Sequence, residues 1–273
     1  MRRALLLLTL LALASPASPA SAGVRQPAKA GTTIASAATY AALPACSTGG
    51  ATAYTEDLDL LWVCNAITGL WLPPDVQPTA VIADYTADAL PGLSVPPWTA
   101  QGAGSGAVSG GELTITSIYR YYLTDVSIAL ANNVGIIARV KVTTQAVVGA
   151  GFNTYMALRI GSMGGWVGIP CLALAGSTAL SSAMNVYPFS SGKSDETATS
   201  ESVDNAVYQW YYILYFKTGQ TVRFGSLGAG PQYGGRVAHY TTFDATPANM
   251  TAVFGSHTGV NTSVWDRVIL FVF

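Results

Sequence analysis

The chain has 273 residues, a formal net charge of −1 and only 10% charged residues, against about 25% in an average globular protein. Its 13 Lys and Arg are scattered, which excludes a nucleic-acid partner, because binding a phosphate backbone needs clustered cations. The polar surface must come from Ser, Thr, Asn, Gln and Gly, which suits an extracellular β protein touching sugars and leaves little charge repulsion against homo-oligomer formation.

Residues 1–22 read as an export signal. Arg2 and Arg3 precede an apolar run from Ala4 to Ala14 broken only by Thr9, and Ala20-Ser21-Ala22 offers the small side chains of a cleavage site. The run falls short of the roughly 20 apolar residues that span a bilayer. No membrane span is expected, and cleavage near Ala22 would release a secreted, cell-surface or periplasmic chain. Residues 23–38 form a flexible Ala/Thr/Gly/Ser-rich linker.

Residues 39–74 form a small β-hairpin module. Gly49-Gly50 marks a turn, Ala51 to Thr55 a strand, Glu56 to Asp59 a turn and Leu60 to Cys64 the returning strand. Thr68-Gly69 then leads to a third strand, Leu70 to Leu72. Strands this short bury little area. In an oxidising compartment a Cys46–Cys64 disulfide is the natural staple. Cys171, in the apolar run Ile169 to Leu174, reads as a buried small hydrophobe. No Cys/His spacing suggests zinc.

With Leu43, Pro44, Ala45, Gly50, Tyr54, Thr55, Asp57, Gly69 and Trp71, this module resembles a short segment common in phage tail and minor structural proteins. The signal and the two cysteines depart from that pattern.

From residue 79 to 273 the chain reads as one large β domain. Expected strands are Glu112–Thr116, Val134–Thr143, Thr154–Ile160, Trp166–Leu174, Ala183–Tyr187, Ala206–Lys217, Thr221–Phe224, Met250–Gly255 and Val264–Phe273. Aromatic and β-branched residues fill them. No long 3.6-residue period occurs in the mature chain. The fold class is all-β, an antiparallel β-sandwich built from two packed sheets. Three features occur in order: the Pro/Trp-rich opening Leu90 to Trp98, the strand from Gly110-Gly111-Glu112 to Ile115, and the later strands around Ile137-Ala138-Arg139-Val140 and Ser263-Val264-Trp265-Asp266-Arg267. In that order they resemble the concanavalin A-like (laminin-G-like) jelly-roll family.

Catalytic signals are weak. His239 and His257 are the two histidines, and no Gly-x-Ser-x-Gly elbow presents a nucleophile. The resemblance implies paired catalytic carboxylates in a Glu-x-Asp-x-x-Glu pattern, which the chain lacks. Asp195, Glu196, Glu201 and Asp204 fall in a Ser/Thr-rich loop. Solvated carboxylates explain them, and calcium is the one cofactor left open. The glycine-rich stretches 102–106 and 225–230 open no helix after a parallel strand, so they read as loops. Asn249 and Asn261 fit the N-glycosylation pattern.

Aromatic residues are more informative. Tyr208, Trp210, Tyr212 and Leu214 share one side of a strand; Val207, Gln209, Tyr211, Ile213 and Tyr215 share the other. Either one side stacks on sugar rings, or both are buried, one of them against a partner chain. Tyr119, Tyr121 and Tyr122, flanking Arg120, form a second candidate on a loop face. The leading expectation is an exported non-enzyme that binds a glycan or cell-surface polymer through six aromatic residues, Tyr119, Tyr121, Tyr122, Tyr208, Trp210 and Tyr212. The competitors are a phage-like tail or appendage component, and a polysaccharide hydrolase or lyase using residues such as Asp244, His239 and Glu201.

Overall fold

A computed structural model describes residues 34–56, 60–116, 120–124, 126–129, 131–145, 154–160, 167–175, 183–187, 199–202, 206–218, 221–227, 237–239, 249–256 and 261–273. The export segment, Tyr119, Asp195, Glu196, Asp204, Asp244 and His257 lie outside them. Ile34–Phe273 forms one compact unit. Among the described residues no helix is long and apolar enough to cross a membrane.

The small sheet comes first: β1 (Ala35–Ala37), β2 (Thr52–Thr55), β3 (Leu60–Asn65) and β4 (Leu70–Leu72), in that order. β1 joins β2 in parallel and the rest are antiparallel. Asn65 fixes the turn between β3 and β4. Its Oδ1 accepts from the Ile67 and Thr68 amides and the Thr68 hydroxyl, while its Nδ2 donates to the Pro78 carbonyl. Cys46 and Cys64 are joined by a disulfide, so the extended stretch before β2 is tied to β3.

Two larger antiparallel sheets follow. The first comprises β5 (Ala80–Tyr85), β7 (Gly106–Ser109), β8 (Glu112–Ile115), β11 (Val134–Gln145), β16 (Gln209–Phe216), β17 (Thr221–Ser226), β18 (Val237–His239) and β20 (Asn261–Val272). The second comprises β6 (Trp98–Gln101), β9 (Arg120–Thr124), β10 (Ile128–Ala129), β12 (Thr154–Ile160), β13 (Val167–Ala175), β14 (Ala183–Tyr187), β15 (Thr199–Ser202) and β19 (Asn249–Ser256). Every expected strand is present within a few residues of its bounds. The Tyr121–Tyr122 stretch, expected as a loop face, is strand β9 paired with β19, and Glu201 lies in β15. Arg120 interrupts the apolar pattern there and conceals the strand.

The sandwich core lies between these two sheets. Side chains alternate across each strand, so β11 sends Val134, Ile136, Ala138, Val140 and Val142 inward. β16 sends Tyr211, Ile213 and Tyr215, and β20 sends Trp265, Val268 and Leu270. Phe254 holds the centre, with Trp98 and Trp265 rings each 5.0 Å away and Tyr85 and Tyr122 tilted against it. The β7–β8 hairpin turns on Gly110 and Gly111, both at positive φ, as a tight two-residue turn demands.

A second core forms on the outer face of the first sheet. Ile137, Tyr212, Leu214, Ile269 and Phe271 point away from the sandwich and pack with Ala53, Trp62, Cys64, Leu70, Trp71, Leu72 and Val76 of the small module. Gly135 allows this: a Cβ there would stand 2.3 Å from the Phe271 ring and 2.9 Å from Leu214. Gly135→Ala should therefore destabilise by about 1–3 kcal/mol through overpacking, read as a lower urea midpoint with unchanged slope. A neutral result would show that the Phe271 ring is free to turn aside.

Candidate functional site

Alternation on the first sheet's outer face leaves one stretch that the module does not fully cover. Beyond Ile137, β11 places Arg139 and Lys141 outward, and the chain entering β16 places Tyr208 beside them. β20 contributes two adjacent charges there, because its register with β11 shifts between Arg139 and Val140. Arg139 pairs with Arg267 and Val140 with Trp265, which leaves Asp266 as the extra residue of a β-bulge. The bulge turns Asp266 and Arg267 both outward while Trp265 and Val268 stay in the core.

These groups form a closed charge network. Arg139 donates to Asp266, and Arg267 makes a forked contact with Asp84 at 2.9 and 2.6 Å. Lys141 donates to Glu112 at 3.2 Å, and the Tyr208 hydroxyl donates to the same oxygen at 2.6 Å. Arg139 and Lys141 lie over the Tyr208 ring, with Cζ 4.7 Å and Nζ 4.2 Å from its centroid, within cation–π range. The Tyr208 bond, then Lys141, holds the Glu112 carboxyl below its ordinary value. Burial pushes Asp266 up despite Arg139, and its Oδ1 is buried without a partner among the described residues. Burial and Glu112 raise the Tyr208 phenol. Glu112 is thus tied to Lys141 and Tyr208, and Asp266 to Arg139.

A groove of about 590 Å³ opens between this network and the module. Its sandwich wall is Arg139, Val207, Tyr208, Gln209 and Trp210; its module wall is Tyr40, Ala41, Leu43 to Cys46 and Gly69 to Trp71. Short bonds fix the module wall. The Tyr40 hydroxyl donates to the Trp71 carbonyl at 2.9 Å, the Trp71 indole donates to the Pro44 carbonyl at 2.6 Å, and the Tyr40 ring stands edge-on to Trp62 at 4.8 Å. The disulfide anchors Cys46 at the end of that wall. On the other wall, Val207 is 49% exposed, so an occupant would meet it directly.

The six aromatic residues expected to bind ligand thus separate. Tyr208 and Trp210 line the groove. Tyr212 is 1% exposed in the second core and Tyr122 is 3% exposed in the first, so neither presents a ring to a ligand. Tyr121 lies in β9, and Tyr119 is outside the described residues. Of the two readings of the aromatic strand, the one with both sides buried holds over Tyr211 to Tyr215, and the cover is the chain's own module. Tyr40, Trp71 and Arg139 line the groove and are not among the residues expected from sequence. The signal for Arg139 was present, as a charged residue inside an otherwise apolar alternating strand. Among the described residues no group of three His, Cys, Asp or Glu side chains stands together to hold a metal ion.

No family model matches the chain, and no curated protein matches it. Solved structures overlap with it at low identity. The CBM2 module of the evolved Dit of Lactobacillus casei BL23 phage J-1 is 11% identical, with a TM-score of 0.49 over 70% of this chain and 95% of that one. The metal-free Emp46p carbohydrate recognition domain is 9% identical, with a TM-score of 0.45 over 68% and 93%. A glycosyl hydrolase family protein from Mycobacterium fortuitum is 13% identical, with a TM-score of 0.46 over 71% and 100%. Overlap at this level identifies neither a family nor a ligand.

Proposed function

We propose that the protein is an exported, non-enzymatic β-sandwich that binds a saccharide unit of a glycan or cell-surface polymer in the groove between the module and the first sheet. The observation that carries this reading is the lining: Tyr40, Trp71, Tyr208 and Trp210 together with Arg139 and the chain at Leu43–Cys46. Sugar rings offer apolar C–H faces to aromatic side chains and hydroxyls to polar groups, which this mixture suits. The described groove lining holds no Asp or Glu side chain, which favours contact over bond cleavage, since a general acid or nucleophile must reach the substrate. The Cys46–Cys64 bridge favours an oxidising compartment.

Glycan-array and polysaccharide pull-down binding tests the reading. Val207→Trp, at an exposed position, should fill the groove and reduce binding at least tenfold with an unchanged melting temperature. Trp210→Ala should also reduce binding by removing a wall, with a lower melting temperature because Trp210 packs against the second core. Binding that survives both substitutions would place the site elsewhere, and product release from any polysaccharide would overturn the non-enzymatic part.

A further inference from the structure

Resting on the groove as a saccharide site, we infer that its ligand is an acidic saccharide, carrying a carboxylate or sulfate that Arg139 receives. Arg139 is the sole charged side chain in the described groove lining. Its side chain is 42% exposed, so the guanidinium is open to an occupant. Its Cζ lies 4.7 Å from the Tyr208 ring centroid, and its bond to Asp266 uses Nη1. A guanidinium presents five N–H donors in a fixed fork, so donors remain after that bond. A planar fork with donors to spare suits two-point recognition of a carboxylate or sulfate.

The nearby carboxylates do not oppose this. Glu112 is matched by Lys141 and Tyr208, and Asp266 stands behind Arg139 with its Oδ1 buried. With Trp210 offering a ring and Arg139 a cation in the same wall, a pyranose that bears one anionic substituent meets both. A neutral sugar would leave the guanidinium facing water or an unmatched hydroxyl. The protein's near-neutral overall charge makes this a short-range contact rather than a field that gathers polyanions.

The test uses the full chain and matched ligands titrated by calorimetry: oligogalacturonate against its methyl ester, and sulfated against unsulfated galactan oligosaccharides. The inference expects the acidic member of at least one pair to bind at least tenfold tighter. Which pair shows it distinguishes carboxylate from sulfate. Arg139→Gln should abolish that preference and Arg139→Lys should restore part of it. The double variant Arg139→Gln/Asp266→Asn, which leaves no unpaired carboxylate, should lose the preference at an unchanged melting temperature. Equal or tighter binding of the neutral members, lost in Val207→Trp, would overturn the inference and leave the groove as a saccharide site. No binding of any member would overturn both.

Discussion

Replacing Tyr212 by alanine will lower the unfolding free energy by about 3–5 kcal/mol, the cost of deleting a buried aromatic side chain. Tyr212 is 1% exposed, and it is buried by the module rather than by the opposite sheet. A tyrosine on an uncovered sheet face would cost within about 0.5 kcal/mol on removal, so a denaturant titration separates the two situations cleanly. The same packing means that a chain starting at Thr79 will present Ile137, Tyr212, Leu214, Ile269 and Phe271 to water. Five large apolar side chains on one face make an aggregation patch, so that truncated chain should associate or precipitate while the longer one stays dispersed. If it remains a monodisperse monomer, and Tyr212→Ala costs under 1 kcal/mol, the second core contributes nothing to holding the fold.

Breaking the disulfide is the second large effect. The bridge closes a loop with a sequence separation of 18, for which chain-entropy arguments give about 3 kcal/mol. Cys46→Ser/Cys64→Ser should lose that amount, seen as a lower midpoint in chemical denaturation. Cys46 also ends the groove wall that begins at Tyr40, so ligand affinity should fall in the same variant under conditions where it remains folded. Unchanged affinity in the folded double variant would show that the Tyr40 and Trp71 hydrogen bonds alone hold that wall.

Much of the fold was legible in the sequence because strands announce themselves locally. The alternation in β11 correctly separated Ile136, Ala138, Val140 and Val142 from Ile137, Arg139 and Lys141. The hairpin module and its cysteine pairing followed from turn residues and from how little area such short strands bury. What could not be read was which element covers which face. Periodicity shows that Tyr212 and Leu214 share a side and that this side is apolar, but nothing in a local pattern states that residues 53–76 supply the cover. The groove has the same origin, since its walls lie far apart along the chain: Tyr40 and Trp71 on one, Arg139 and Trp210 on the other. The β-bulge left a trace, because two successive charges, Asp266 and Arg267, cannot alternate within a half-buried strand. The unpaired extra residue resolves that conflict by letting both leave the core together.

The position of β20 sets an order of assembly. It pairs with β11 along one side, and with β8 and then β5 along the other, and all three partners precede it in the chain. Among the described residues β5 has no other strand partner, and β8 otherwise pairs only with β7. Until Asn261–Val272 joins, the first sheet therefore remains three pieces, β11 with β16 to β18, β7 with β8, and β5 alone, and Ile269 and Phe271 are missing from the surface on which the module packs. A polypeptide arranged in this way cannot close its first sheet by local pairing, so a single strand decides when the sandwich becomes one cooperative unit.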